Sequence, residues 1–470
     1  MRIETAAAAL LTTSLAFAVY NLTLAPDLTW ANYGSDGGEL ITAAVTLGVP
    51  HPSGYPTYIL IGKLFSLLPW GEVAYRLNLL SATAVALAAG FTTAASFHLL
   101  TNHFNQKQQM GTAVAVGLTF ALAPLVWGQA TISEVYGLNL LCLSLFLWAL
   151  LGERPSWFTG LFLGLSITTH LTSLLMLPLA ILCIERRNLP KLGVGVGIGL
   201  LPFLLIPFIA QSGSPIIWSN PTTLSGWWWL VSGHIYRPNL FSLPPDQLLL
   251  RLSDWTWLLS QQFAWIGFIV LGIGVWQIGR QPDLHPLRRL TFGLLFTAVI
   301  YLIYAFTYNT DDAIVLILPT LLLLTPLLTI GLRRIGWIAL SLPLFLLLLN
   351  FQTQNLSDDH RLRPLATNLL STAPTNALIL SSDAATTFSL WYFHFAEGQR
   401  PDTILVDTHL FAFDWYRDQL QTEYPDLYLP QTDDLAVFER RNGSIRPLCH
   451  AQIKPDQTPA YSLNCQDNQL

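Results

Sequence analysis

Apolar residues come in long runs over residues 1–351, and the charged ones fall at the ends of these runs or in the breaks between them. The runs fall at about 5–25, 75–100, 111–127, 134–152, 156–184, 193–210, 262–279, 289–306, 313–330 and 336–351. Many approach the ~20 residues that a helix needs to cross a bilayer. The 156–184 run is too long for one ordinary crossing and is interrupted by Thr168, Thr169 and His170. It predicts two short helices meeting near His170, which gives the chain about eleven crossings. The first run has a weakly charged start and no small-x-small cleavage pattern, so it reads as an uncleaved transmembrane helix.

After residue 351 the pattern changes. Residues 352–470 are rich in Asp, Gln, Asn, Thr and Pro. ALILSS (377–382) and TILVD (403–407) read as buried strands, while AATTFSLWYFHFAEG and FDWYRDQLQTEY read as helices. The predicted fold class is mainly α: a polytopic transmembrane helical bundle over 1–351, followed by a small α/β exported domain over 352–470. The role of that domain is either acceptor binding, the favoured expectation, or a cap that stabilises the bundle.

Composition sharpens this picture. The chain of 470 residues is 52% hydrophobic and only 11% charged, against about 25% charged in ordinary soluble domains. A large soluble core is excluded, because the polar residues that would cover it are missing. The net charge of −5 argues against a nucleic-acid partner. Four cysteines are too few for a disulfide framework. Cys142 and Cys183 lie in apolar runs. Cys449 and Cys465 lie in the polar tail, where they either pair in an oxidising compartment or remain free thiols.

The basic residues Lys107, Arg154, Arg186, Arg187, Lys191, Arg280, Arg288, Arg289, Arg333 and Arg334 sit in short loops. Placing all of them in the cytoplasm puts the amino terminus inside. Loops 26–74 and 211–261, the turns near Glu134 and Asp311, and the tail then face outward. On this topology Asp36, Glu39, His51, Glu134, His170, His234, Tyr236, Arg237, Asp311 and Asp312 gather on one face of the membrane. Ionisable groups at such depth are costly, and they are commonly paired or functional.

The stretch YGSDGGELITAAVTLGVPHPSGYPTY (33–58) carries the strongest signal. Asp36 and Glu39, three residues apart, share one face of a predicted helix or its start. The bland alternative is an N-cap by Ser35 or Asp36. An ionised carboxylate beside an apolar cavity can instead act as a general base on a hydroxyl. His51 follows in a Pro/Gly turn and can donate to a phosphate or bond local backbone. QATISEVYGLNLL sets Glu134 at the start of a span, as a second acid for the cavity or a charge on the helix dipole. GWWWLVSGHIYR combines tryptophans with His234, Tyr236 and Arg237, and arginine suits bidentate phosphate binding. YNTDDAIV places Asp311 at the lip of a span, where it either orients a sugar or marks the water boundary. No P-loop, HExxH, CxxC or GxGxxG element is present, so ATP-driven or zinc-dependent chemistry is unsupported.

The strings DGGELITAAVTLGVPHPSGYPTYILIGKLFSLLP, VAYRLNLLSA, ISEVYGLN, GLSITTHLT, TTLSGWWWLVSGHIYR and YNTDDAIV, with the tail NALILSSDAATTFSLWYFHFAEGQRPD, resemble the protein O-mannosyltransferase-like membrane family of the type-C glycosyltransferase superfamily. The resemblance implies an enzyme that uses a polyprenyl-phosphate-linked sugar, has its site on the exoplasmic face and requires no cofactor or metal. It implies Asp36 as base, Glu39 as its support and Glu134 as the acid of the second outer loop. The substrate-binding set then comprises His51, Tyr55, Glu134, Tyr136, His170, His234, Tyr236, Arg237 and Asp311. The implied partners are the lipid-linked donor, a protein or glycan acceptor and the membrane lipid. DGGE departs from the D-S-G-E more common in relatives, though the carboxylates keep their spacing. The competing class is a transporter or flippase that uses the acids as an ion site. It calls for charges at mid-span and inverted repeats, whereas these charges lie at span ends.

Overall fold

The computed structural model describes residues 3–100, 105–458 and 460–466. Its helical part matches the apolar pattern. Among the described residues, six helices are long and apolar enough to cross a membrane: Ile3–Thr23, Val73–Leu100, Arg186–Ile209, Pro282–Thr307, Ala313–Leu332 and Gly336–Gln354. Two bent pairs, Gln106–Ala121 with Pro124–Ala130 and Pro245–Gln262 with Ile266–Arg280, raise this to eight if each pair is one span. The expectation of about eleven therefore requires Val135–Leu151 and both halves of 156–184 to cross as well.

The break at His170 is present. Ser156–Thr169 is helical, His170 is extended (φ −161°, ψ 129°), and Leu171–Met176 and Leu177–Cys183 continue beyond it. The carbonyls released by such a break need donors inside a membrane. Asn139 supplies one: its side-chain nitrogen lies 2.8 Å from the Ser166 carbonyl, Thr169 Oγ1 and Ser173 Oγ, with two N–H groups to share among them. The broken helix packs tightly on Leu189–Gly199. A Cβ at Gly195 would stand 1.9 Å from the Trp157 carbonyl oxygen, the close backbone approach that small residues allow between membrane helices.

The C-terminal unit holds a four-stranded sheet in the order β2-β1-β3-β4. Strands β1 (Leu378–Ser381) and β2 (Ile404–Asp407) match the two predicted. They pair in parallel, Leu378 opposite Ile404. Strand β3 (Leu448–Ile453) joins β1 in parallel, and β4 (Tyr461–Gln466) closes the edge antiparallel to β3. Sequence reading missed this last hairpin, because its residues alternate in polarity only weakly. The hairpin places Cys449 opposite Cys465, and the two form a disulfide.

This unit is bolted to the loop after the first helix. Arg363 forms ion pairs with Asp27 and Glu397, donating to Asp27 Oδ1 at 3.0 Å and to the two Glu397 oxygens at 2.6 and 2.8 Å. Trp30 Nε1 donates to Ser389 Oγ at 3.0 Å. The Tyr392 hydroxyl accepts from the Ala74 amide and donates to Glu397.

Candidate active site

Asp36 stands at the N-cap position of the Gly37–Thr46 helix, yet its side chain makes no capping hydrogen bond. The carboxylate is therefore free to face the cavity. Glu39, one turn on, is fully buried. It accepts a hydrogen bond from the His51 backbone amide at 3.1 Å and is paired with His51 Nδ1. This pairing locks the HPSG turn against the helix. The other ring nitrogen, Nε2, lies 3.7 Å from Asp36 Oδ2. Val49 then bridges to the 216–218 segment, its amide donating to the Ile216 carbonyl at 2.7 Å. That bridge brings Trp218 over the same turn.

These elements enclose a cavity of about 650 Å³, within the size range of small-molecule sites. Four rings surround His51: Tyr55 at 5.0 Å, Trp218 at 6.1 Å, Tyr236 at 6.2 Å and Phe388 at 6.4 Å, the last nearly parallel to it. Asp36, Tyr55, Glu134, Tyr136, His170, Arg237 and Asp311 also line the cavity. Of the residues singled out from sequence, Glu39 lies behind the wall, holding His51, and His234 is exposed against Trp229 and does not reach the cavity. Sequence reasoning left out Trp218, Tyr304, Tyr308 and Phe388, and it placed Asp312 on the outer face without choosing it as a binding residue; all of these line the cavity. Tyr308 and Asp312 flank an acid already selected, so that motif held the signal. Phe388 sits in the tail with nothing local to mark it.

The electrostatics differ sharply among the acids. Burial pushes Asp36 up to about 6; the His51 charge opposes this shift, while Glu39 and Asp312 add to it. Burial works against the His51 imidazolium, but the Glu39 carboxylate, with Asp36 and Asp312, outweighs it and raises His51 to about 9. Burial, with Asp36 and Asp312 nearby, drives Glu134 well above the usual carboxylate range. Glu134 Oε1 is buried without a hydrogen-bond partner, which leaves it available to a ligand. The site thus presents a carboxylate poised near neutrality, a cationic imidazole and a second carboxyl group whose protonated form burial favours. Among the described residues no group of three or more His, Cys, Asp or Glu is arranged to hold a metal ion.

The Gly-Gly step after Asp36 has a physical cause at its second position. A Cβ on Gly38 would lie 2.2 Å from the Phe388 carbonyl oxygen, whereas on Gly37 its nearest neighbour would be the Ser133 carbonyl oxygen at 3.2 Å. Gly38→Ala is expected to cost about 1–3 kcal/mol through overpacking, and Gly37→Ala distinctly less. Thermal unfolding of the two variants in detergent checks this; equal melting temperatures would refute it.

Comparison with known proteins fits this arrangement. The family model described as the protein O-mannosyl-transferase TMEM260 N-terminal domain matches residues 36–192, beginning at Asp36. TMEM260-associated domain 2 matches residues 362–428. The chain is 30% identical over 477 residues to protein O-mannosyl-transferase TMEM260 of Mus musculus, covering 88% of this chain and 64% of that protein. It is 22% identical over 485 residues to protein O-mannosyl-transferase tmem260 of Dictyostelium discoideum, covering 85% and 57%. The chain therefore spans less than two thirds of the length of these relatives. The crystal structure of ArnT from Cupriavidus metallidurans bound to undecaprenyl phosphate shares the fold, with a TM-score of 0.55, 13% identity and coverage of 94% and 92%.

Proposed function

We propose, from the premise that the chain belongs to the protein O-mannosyltransferase-like membrane family of the type-C glycosyltransferase superfamily, that it transfers a hexose, with mannose favoured, from a polyprenyl-phosphate carrier to a protein Ser/Thr hydroxyl at the exoplasmic face. The observation that carries this reading is the uncapped Asp36 carboxylate, 3.7 Å from the His51 imidazole, at the wall of an aromatic cavity. Structural likeness to a protein bound to undecaprenyl phosphate supports the choice of carrier.

The chemistry balances without a cofactor. The acceptor oxygen forms a bond to the anomeric carbon as the bond from that carbon to the phosphate oxygen breaks. The bonding electron pair leaves with the phosphate, and the acceptor proton passes to Asp36. Arg237 and the His51 cation face the leaving phosphate and stabilise its charge. Glu134, whose protonated form burial favours, can donate to a sugar hydroxyl. Tyr55, Tyr136, His170 and Tyr236 shape the sugar pocket, and Asp311 positions the acceptor at the lip.

The pH profile follows from the two shifted groups. Asp36 works as the anion, so activity rises as pH increases through about 6. His51 works as the cation, so activity falls as pH increases through about 9. His51→Gln should remove the alkaline limb and move the acid limb to higher pH, because the His51 charge no longer holds Asp36 down; a wild-type profile flat across both regions would contradict these roles. The function itself is tested by incubating purified protein with polyprenyl-phosphate mannose and a Ser/Thr peptide. Mannosylated peptide and free polyprenyl phosphate are expected in equal amounts. No release from any polyprenyl-phosphate hexose would overturn the glycosyl-transfer reading.

A further inference from the structure

The cavity wall is not built from the helical bundle alone. Ala384 and Phe388, both on the Ala384–Trp391 helix of the C-terminal unit, line it together with Asp36 and His51. The contact is tight. The Phe388 carbonyl occupies the space that a side chain at position 38 would need, Ser389 accepts from Trp30, and the Phe388 ring lies 10° from the plane of His51. A neighbouring segment of the same unit packs on the opposite loop, with the Trp415 and Trp218 rings 5.8 Å apart. The unit is thus held against both loops that carry the proposed chemistry.

The cavity has two chemically distinct sides. Leu171, Leu174, Leu175, Leu240 and Leu316 line it from the bundle and from the loop beside it, and Leu174 is 46% exposed on the apolar surface. A prenyl chain belongs on this leucine side, where it stays in hydrocarbon. The C-terminal helix lines the cavity from a soluble unit, and Ala384 is exposed. A water-borne hydroxyl belongs there.

Resting on the glycosyl-transfer reading, we infer that the Ala384–Trp391 helix is the acceptor-side wall of the active site, and that Phe388 is a specificity-determining residue which admits a hydroxyl carried on a polypeptide segment and excludes water from the Asp36–His51 pair. An aromatic wall over a general base favours an acceptor that can displace ordered water and cover the ring. Water in the acceptor position would give the same bond changes, with free sugar as product.

The test compares Phe388→Ala, Phe388→Leu and Ala384→Trp with wild type in the full-length protein, measuring peptide mannosylation and release of free mannose from the same donor. Phe388→Ala is expected to raise the ratio of hydrolysis to transfer by about tenfold and to raise the peptide KM, with donor KM changed by less than about twofold. Phe388→Leu should restore most of the lost discrimination. Ala384→Trp changes an exposed position, so a folding defect is not expected; it should block peptide access and shift the ratio in the same direction. Ratios and peptide KM values within about twofold of wild type in both Phe388→Ala and Ala384→Trp would overturn the inference. That outcome is distinct from an inactive wild type, which would overturn the reading beneath it.

Discussion

Asp36→Asn is expected to lower sugar transfer by about 10²–10⁴-fold, the range of a lost general base, while leaving the fold intact. The side chain caps no helix. Its nearest polar side-chain contacts are Ser35 Oγ at 3.5 Å and His51 at 3.7 Å. The amide is nearly the same size, so little packing is disturbed. Donor binding should survive, because Arg237 and the His51–Glu39 pair remain. The measurement is the initial rate of polyprenyl phosphate release at saturating donor, beside a melting curve. A variant that melts like wild type and transfers at the wild-type rate would rule out Asp36 as the base.

The second large effect is expected at Arg363. Its guanidinium joins Asp27, whose side chain is 3% exposed, to Glu397 across the junction of the two units. Arg363→Ala leaves a buried carboxylate without its charge partner, and breaking such a pair costs about 3–5 kcal/mol. Lysine should not rescue it, since one ammonium cannot reproduce the fork that serves both acids. Asp27 lies in the segment that leads to Asp36, so activity should fall with stability. Differential scanning fluorimetry in detergent reads the first effect and the transfer assay the second. A melting temperature equal to wild type would show that the junction does not depend on this residue.

The sequence revealed the helical bundle because a membrane helix is specified by length and hydropathy alone, which are local properties. The break at His170 was legible for the same reason: Thr168, Thr169 and His170 interrupt a run too long for one span. Asp36, Glu39, His51 and Glu134 stood out because charge is rare in this chain. The division of labour between the first two acids came only from the family resemblance, not from the residues themselves. Only the fold shows that Glu39 turns inward to hold His51 while Asp36 stays uncapped. Phe388 was invisible for a different reason: one phenylalanine among twenty-five becomes part of a cavity only through a contact more than three hundred residues away. The β3–β4 hairpin escaped because the Cys449–Cys465 pairing that holds it closed has no period to read.

The Phe388 carbonyl seated above Gly38 bears on how the protein is made. The segment holding Asp36 leaves the ribosome some three hundred and fifty residues before the helix that completes its surroundings. Until that helix is made and docked, the proposed base faces an unfinished wall. Competence therefore arrives only when this unit docks, and a product truncated before residue 384 would insert into the bilayer without ever acquiring the finished pocket.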